Sequence, residues 1–168
     1  MSLKSVLLKI YSPKGYRHCL SHDLLPLPSE VHLRRLTKGL KCTYGINEQA
    51  VDAIQNCFQN EEDEDKCFGI VVFDEVKLRE EIQFNSNSLK IDGFVDLGEF
   101  TPKGDKNVLA NHALVFMFIP LLLLPWVQPV AVYASRNATP GDILVKMLIQ
   151  IIIELERAVA KVRWESVK

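Results

Sequence analysis

Cysteine pairs at metal-ligand spacing are missing from this chain. Its four cysteines, at 19, 42, 57 and 67, include no Cys-x-x-Cys, and the opening residues do not read as a secretory signal. Neither a zinc ribbon nor a disulfide framework is indicated, and reduced thiols in an intracellular setting are expected. His18, Cys19 and His22 stand close together, with the histidines four apart, but nothing nearby completes a tetrahedral zinc set. Charge of one sign is lacking as well: 20 Lys and Arg against 21 Asp and Glu leave a net charge of −1. That balance says little about partners, and its distribution says more. Residues 1–41 carry eight Lys or Arg against Asp23 and Glu30, whereas Glu61–Asp65 is an unbroken acidic run. A basic head that can meet a polyanion, followed by a solvated acidic spacer, is the expectation.

One stretch has no charge at all. Between Ala113 and Ala134 only Gln128 is strongly polar, and that length suffices to cross a bilayer. A small membrane protein is therefore one reading. Pro120, Pro125 and Pro129, with a high share of Val, Phe and Tyr, favour two buried strands joined by a proline-containing turn, and no membrane partner.

The chain is 168 residues long, enough for one domain or a small domain plus part of another. Leu3, Val6, Leu7 and Ile10 fall at helical spacing. Ser12-Pro13 is a cap and first helical position for a second helix towards Ser21. Beyond Pro26 and Pro28, Ser29 can cap a third helix that displays Arg34, Arg35 and Lys38. Short helices with the last one basic fit a helix-turn-helix, and equally a small bundle that never touches DNA. Asn47 begins a helix with Ala50, Val51, Ile54, Cys57 and Phe58 on one face. The acidic run after it is the expected boundary of a helical region spanning 1–60, with a linker over 61–66.

The remainder, 67–168, reads as strands followed by one helix. Ile70–Phe73 is a short apolar run that predicts a strand buried on both faces. Asp74 ends it. A carboxylate there is either a solvated acid at a strand end or a metal-binding group on a rigid strand, since a desolvated acid needs a cation or donors. Asn85–Ser88 signals a turn, Leu89–Leu97 a short hairpin strand, and His112–Leu122 and Trp126–Ser135 two longer strands. Thr139-Pro140-Gly141-Asp142 predicts a helix capped by the Thr139 hydroxyl. Its stripe of Leu144, Met147, Leu148, Ile151, Ile152, Leu155, Val159 and Val162 must lie on a sheet. Fully buried, such side chains contribute ~1.5–3 kcal/mol each before entropy is subtracted.

Several stretches resemble the P-element family of DNA transposases, which includes transposases carrying a THAP zinc finger. They are Gly69–Leu78 (GIVVFDEVKL), Leu89–Pro102 (LKIDGFVDLGEFTP), Asn111–Phe118 (NHALVFMF) and Trp126–Ser135 (WVQPVAVYAS). Ser12–Arg17 (SPKGYR), Leu25–Ser29 (LPLPS) and Leu33–Arg35 (LRR) are similar to the helix-turn-helix segment that precedes the catalytic domain there. Ile119–Trp126 (IPLLLLPW) departs from the family pattern, which has an arginine and a Gly-Asn turn at that place. No THAP finger is expected ahead of the helical head.

The resemblance implies an α/β fold: an incomplete RNase H-like domain, with a mixed sheet and one long packed helix, after a small all-α helix-turn-helix region. It implies Asp74 as the first catalytic, Mg²⁺-binding carboxylate, and Mg²⁺-dependent cleavage and transfer of transposon DNA in the nucleus. Better-studied members also use GTP, through an insertion expected to be absent here. The family's second Asp follows the strand after the long helix, and the chain reaches Lys168 where that strand begins, so a fragment inactive by itself is expected. Asp96, and less readily Asp92, is the candidate stand-in, while Glu75 falls on the opposite face from Asp74. The missing neighbour strand leaves an exposed edge and predicts self-association. A module that binds DNA or protein, such as a repressor of an intact transposase, is the alternative function.

Overall fold

A computed structural model describes residues 3–37, 44–85, 90–122 and 126–163. The chain divides into two compact units, Met1–Cys42 and Thr43–Lys168.

The first unit holds three short helices, α1 (Leu3–Tyr11), α2 (Pro13–Ser21) and α3 (Glu30–Thr37). The Ser12 hydroxyl accepts the Gly15 N–H at 3.2 Å and Pro13 takes the first turn, as the Ser-Pro pair predicts. Ser29 likewise accepts the His32 N–H at 3.3 Å where α3 starts. Tyr16 and Leu33 are buried, and the Tyr16 hydroxyl donates to the Pro28 carbonyl, so α2 is tied to the segment entering α3. Glu30 adds ion pairs to Lys9 at 3.6 Å and Arg17 at 3.9 Å. Residues 22–29 separate α2 from α3, a longer connection than the tight turn expected of a helix-turn-helix.

The second unit opens with β1 (Gly45–Ile46) and α4 (Glu48–Phe58), whose Asn47 side chain caps Ala50 N–H at 3.3 Å. After a 3₁₀ turn at Glu64–Cys67 come β2 (Phe68–Lys77), the hairpin β3 (Gln83–Asn85) and β4 (Lys90–Asp92), then β5 (His112–Pro120), β6 (Gln128–Ser135), α5 (Gly141–Arg157) and β7 (Lys161–Val162). The main sheet runs β1-β6-β5-β2-β7, antiparallel except for β7 beside β2. This is the mixed sheet with one long packed helix that the resemblance implies.

Alternation along β5 sets the layers. Leu114, Phe116 and Phe118 are fully buried under the helices, whereas Val115, Met117 and Ile119 on the other face are half-buried. Met147, Ile151 and Leu155 of α5 and Ile54 and Phe58 of α4 fill the same core, with Phe58 edge-on to Phe118 at 6.1 Å between ring centroids. The uncharged run is the pair β5 and β6, and among the described residues no helix is long and apolar enough to cross a membrane.

Three expectations are corrected. The helical head ends before residue 43, not at 60, because α4 buries Ile54 and Phe58 in the core of the second unit. The acidic stretch 61–66 is no loose linker: Asp63 caps the 3₁₀ turn by accepting Asp65 N–H at 3.1 Å, and Glu61 pairs with Lys66 at 2.9 Å. Nor is β2 buried on both faces. Ile70, Val71 and Val72 are only half-buried and Phe73 is 43% exposed, since α4 and α5, the helices of this unit, pack on one face of the sheet.

β2 depends on one glycine. A Cβ at Gly69 would lie 2.2 Å from the Phe118 ring and 2.8 Å from the Ile119 carbonyl oxygen, neither of which can retreat in a packed core. Gly69→Ala is expected to lower stability by about 1–3 kcal/mol, the usual range for overpacking, as read by urea unfolding.

Candidate active site and DNA-binding residues

Asp74 sits opposite Val115 in the β2–β5 ladder, on the sheet face away from the helices, and is exposed. Glu75 sits opposite Leu114 and so belongs to the helix-covered face. The backbone of β2 alternates in the other direction. Phe68 C=O accepts Leu121 N–H at 2.9 Å and Leu78 N–H donates to Asn111 C=O at 2.7 Å, so even-numbered residues bond on the β5 side. Gly69 C=O instead accepts Arg163 N–H at 2.9 Å, so odd-numbered residues point to the β7 side. β7 pairs with β2 only at Phe68 and Gly69. From Phe73 to Lys77 that side of β2 has no strand neighbour among the described residues.

At this open edge two hydrogen bonds meet. The Asp74 carboxylate accepts the Glu75 N–H at 2.8 Å, which occupies a backbone donor that a strand on this side would otherwise take. The Glu75 carboxylate accepts the Thr139 N–H at 2.9 Å, across 64 residues of sequence. Thr139 was expected to cap α5 through its hydroxyl. Instead α5 starts after Pro140 with no side-chain cap, and Thr139 Oγ1 is buried with no hydrogen-bond partner. A cavity of about 250 Å³ lies here, lined by Phe73, Asp74, Glu75, Leu114, Thr139 and Leu144 among others.

The other candidates do not join Asp74. Asp96 pairs through its backbone with Ala134 on the far edge of β6, and its carboxylate accepts Gly98 N–H at 3.0 Å. Three strand spacings separate it from β2, roughly 14 Å. Asp92 is on β4, in the separate two-stranded sheet, and lines a different cavity with Tyr44 and Arg79. A larger cavity, about 420 Å³ between α4 and α5, is lined by Glu48, Asp52 and Glu154, but it is remote from β2 and Glu154 is paired with Arg157 at 2.6 Å. Among the described residues no group of three or more His, Cys, Asp or Glu could hold a metal ion. The His18 and His22 rings lie 4.3 Å apart, and His22 Nδ1 is 3.0 Å from the His18 carbonyl oxygen.

For a hard cation, then, Asp74 fits as a single ligand. One of its oxygens takes an N–H, and a carboxylate has lone pairs to spare for a metal and its waters. It does not by itself fit a two-metal centre, which needs carboxylates converging from several elements. Cys67, buried where the 3₁₀ turn enters β2, has its thiol pushed up by desolvation, and so is kept from thiolate chemistry. In the first unit Arg34 and Arg35 are exposed on α3, while Lys38 lies outside the described residues.

The geometry of this sheet agrees with what comparison finds. The TNP-like, RNase H N-terminal domain family matches residues 42–164. The chain belongs to this family. Its fold is also that of a chain in the Drosophila P element transposase strand transfer complex, with a TM-score of 0.70 at 19% sequence identity. That superposition covers 95% of this chain and 30% of the other, so the protein spans about a third of its structural relative. Among curated proteins none matches it. The match beginning at residue 42 falls at the same place as the division between the two compact units.

Proposed function

We propose that this TNP-like RNase H domain supplies Asp74 as the first metal-binding carboxylate of a P-element-type transposase site, and that the basic head preceding it meets DNA. The observation that carries this is Asp74 itself. It is an exposed carboxylate at an open strand edge, held in one orientation by Glu75 N–H, within a fold shared with a transposase. A bound Mg²⁺ would supply Lewis-acid polarisation of a phosphoryl oxygen and a lowered water pKa. The chain's own part is to present one carboxylate rigidly and to keep the apolar wall of Phe73, Leu114 and Leu144 behind it. One carboxylate holds a mostly hydrated ion weakly, so the described residues alone bind metal without cleaving DNA.

Arg34, Arg35 and Lys38 follow one another along α3 and just beyond it. Their proposed role is phosphate contact, with DNA of transposon ends as partner and the nucleus as the place of action. A binding module that interferes with an intact transposase uses the same surface and needs no chemistry. The open edge of β2 adds a further proposed contact, since N–H and C=O groups turned away from β5, such as those of Phe73, can template a strand from another copy.

Three outcomes are expected. First, Mn²⁺ added to the 168-residue protein broadens the amide resonances around residue 74 at millimolar concentration, and Asp74→Asn, which keeps an acceptor for Glu75 N–H, abolishes this. Oligonucleotide nicking by the wild-type protein that disappears in Asp74→Ala would show a complete site and refute the inactive reading. Second, duplex DNA binding weakens about 40-fold between 50 and 200 mM salt if the three cations each neutralise one phosphate. An unchanged salt slope in the Arg34→Ala/Arg35→Ala/Lys38→Ala variant would count against α3 as the contact. Third, sedimentation shows association at tens of micromolar, and a Phe73→Pro substitution, which removes an edge N–H, reduces it. A monodisperse monomer at that concentration would argue against the edge.

A further inference from the structure

The Glu75 side chain has no part in the function proposed above, and it faces the other way from Asp74. Yet Glu75 makes both hydrogen bonds at the open edge. Its backbone N–H donates to the Asp74 carboxylate at 2.8 Å, and its own carboxylate accepts Thr139 N–H at 2.9 Å. The second bond is part-buried and joins β2 to the turn between β6 and α5. Few other contacts can hold β2 at this point. Phe73 and Val76 are 43% and 51% exposed, β7 has already ended, and only β5 pairs with the strand on its far side.

An edge residue without a neighbour strand rocks about its one remaining ladder, and an N–H that rocks cannot orient a carboxylate. A hydrogen bond from a backbone amide to a side-chain oxygen is directional, and here the amide belongs to the turn that starts α5. α5 is anchored in turn by Met147, Ile151 and Leu155, all fully buried. Rigidity therefore passes from the core, through α5 and Thr139, to the Glu75 side chain, and from the Glu75 backbone to Asp74.

We infer that Glu75 is a positioning residue for Asp74: it clamps the open end of β2 to the α5 entrance and thereby fixes the carboxylate in the orientation that receives a cation. This rests on Asp74 as a metal ligand. Glu75 acts through its ability to accept a hydrogen bond at the right reach, not through its charge. Glutamine preserves that acceptor and its length. Aspartate keeps the charge but falls one methylene short, and alanine has neither.

Two readouts test the assignment on the full chain. Hydrogen exchange at the Thr139 amide reads the clamp with no metal present, and Mn²⁺ broadening of the resonances around residue 74 reads the orientation of Asp74. In Glu75→Gln both are expected to stay within about twofold of wild type, since the acceptor is retained. In Glu75→Ala and Glu75→Asp, Thr139 exchange is expected to rise about tenfold or more and the Mn²⁺ midpoint to weaken about threefold or more, the scale of losing one hydrogen bond. If Glu75→Gln loses Mn²⁺ as Asp74→Asn does, Glu75 is itself a ligand and the assignment falls. It falls too if Thr139 exchange rises in Glu75→Ala while the Mn²⁺ midpoint holds, or if neither moves. A wild-type protein whose resonances near residue 74 ignore Mn²⁺ would overturn the reading of Asp74, and the exchange of Thr139 would still report on the clamp.

Discussion

The packing of α4 and α5 against one face of β5 is the constraint from which the rest of this domain follows. Leu114, Phe116 and Phe118 on that face are fully buried, whereas Val115, Met117 and Ile119 on the other are half-buried. Phe118 reaches over Gly69 to lie against Phe58 and Trp126, so the start of β2 is locked into the core. Further along, β2 leaves that cover. Its residues pass from fully buried at Gly69 to exposed at Phe73 and Asp74 within five positions. A carboxylate is tolerated at 74 because the strand has already reached solvent there. At the buried position of Gly69, five residues earlier, it would meet the desolvation penalty of an unpaired buried charge.

The periodic parts of this architecture were legible from residue patterns because burial enforces them. The unbroken apolar run over 112–120 reads as a strand, and the four-residue spacing of Met147, Ile151 and Leu155 as one buried helix face. The absence of charge from Ala113 to Ala134 has the same source. Val130, Ala131, Tyr133, Ala134 and Ser135 of β6 are all within 2% of complete burial, on both faces of the strand, so alternation fails there and the run mimics a membrane segment. Ser12 and Asn47 were readable as caps because a hydroxyl or amide before a helix has a nearby orphan N–H to accept.

What stayed hidden depends on contacts distant in sequence. Thr139 has the local signature of a cap, but the helix starts one residue later with Pro140 in the cap position, and the Thr139 N–H is bonded to Glu75 instead. Asp96 looked close to Asp74 because a hairpin was expected between them. The segment instead crosses to the far edge of the sheet and pairs with Ala134. The placement of α4 was missed for a related reason. Its amphipathic face is the same whether it packs in a helical head or on a sheet, and only Phe58 meeting Phe118 decides.

The open edge of β2 draws these threads to one place. A lone strand edge is a hazard in a soluble protein, and short edges, bulges and charges are the usual remedies. Here the remedy is Asp74, whose carboxylate covers the Glu75 N–H from the same strand. A carboxylate engaged that way is oriented but not saturated, and both properties suit a ligand for a hydrated divalent cation. If a parallel strand were to extend along Phe73–Lys77, it would need the Glu75 N–H for its own ladder, and Asp74 would have to turn away from it. The carboxylate would then rely on new donors or on a cation to hold its position. Strand extension and the orientation of Asp74 are thus coupled through a single backbone amide.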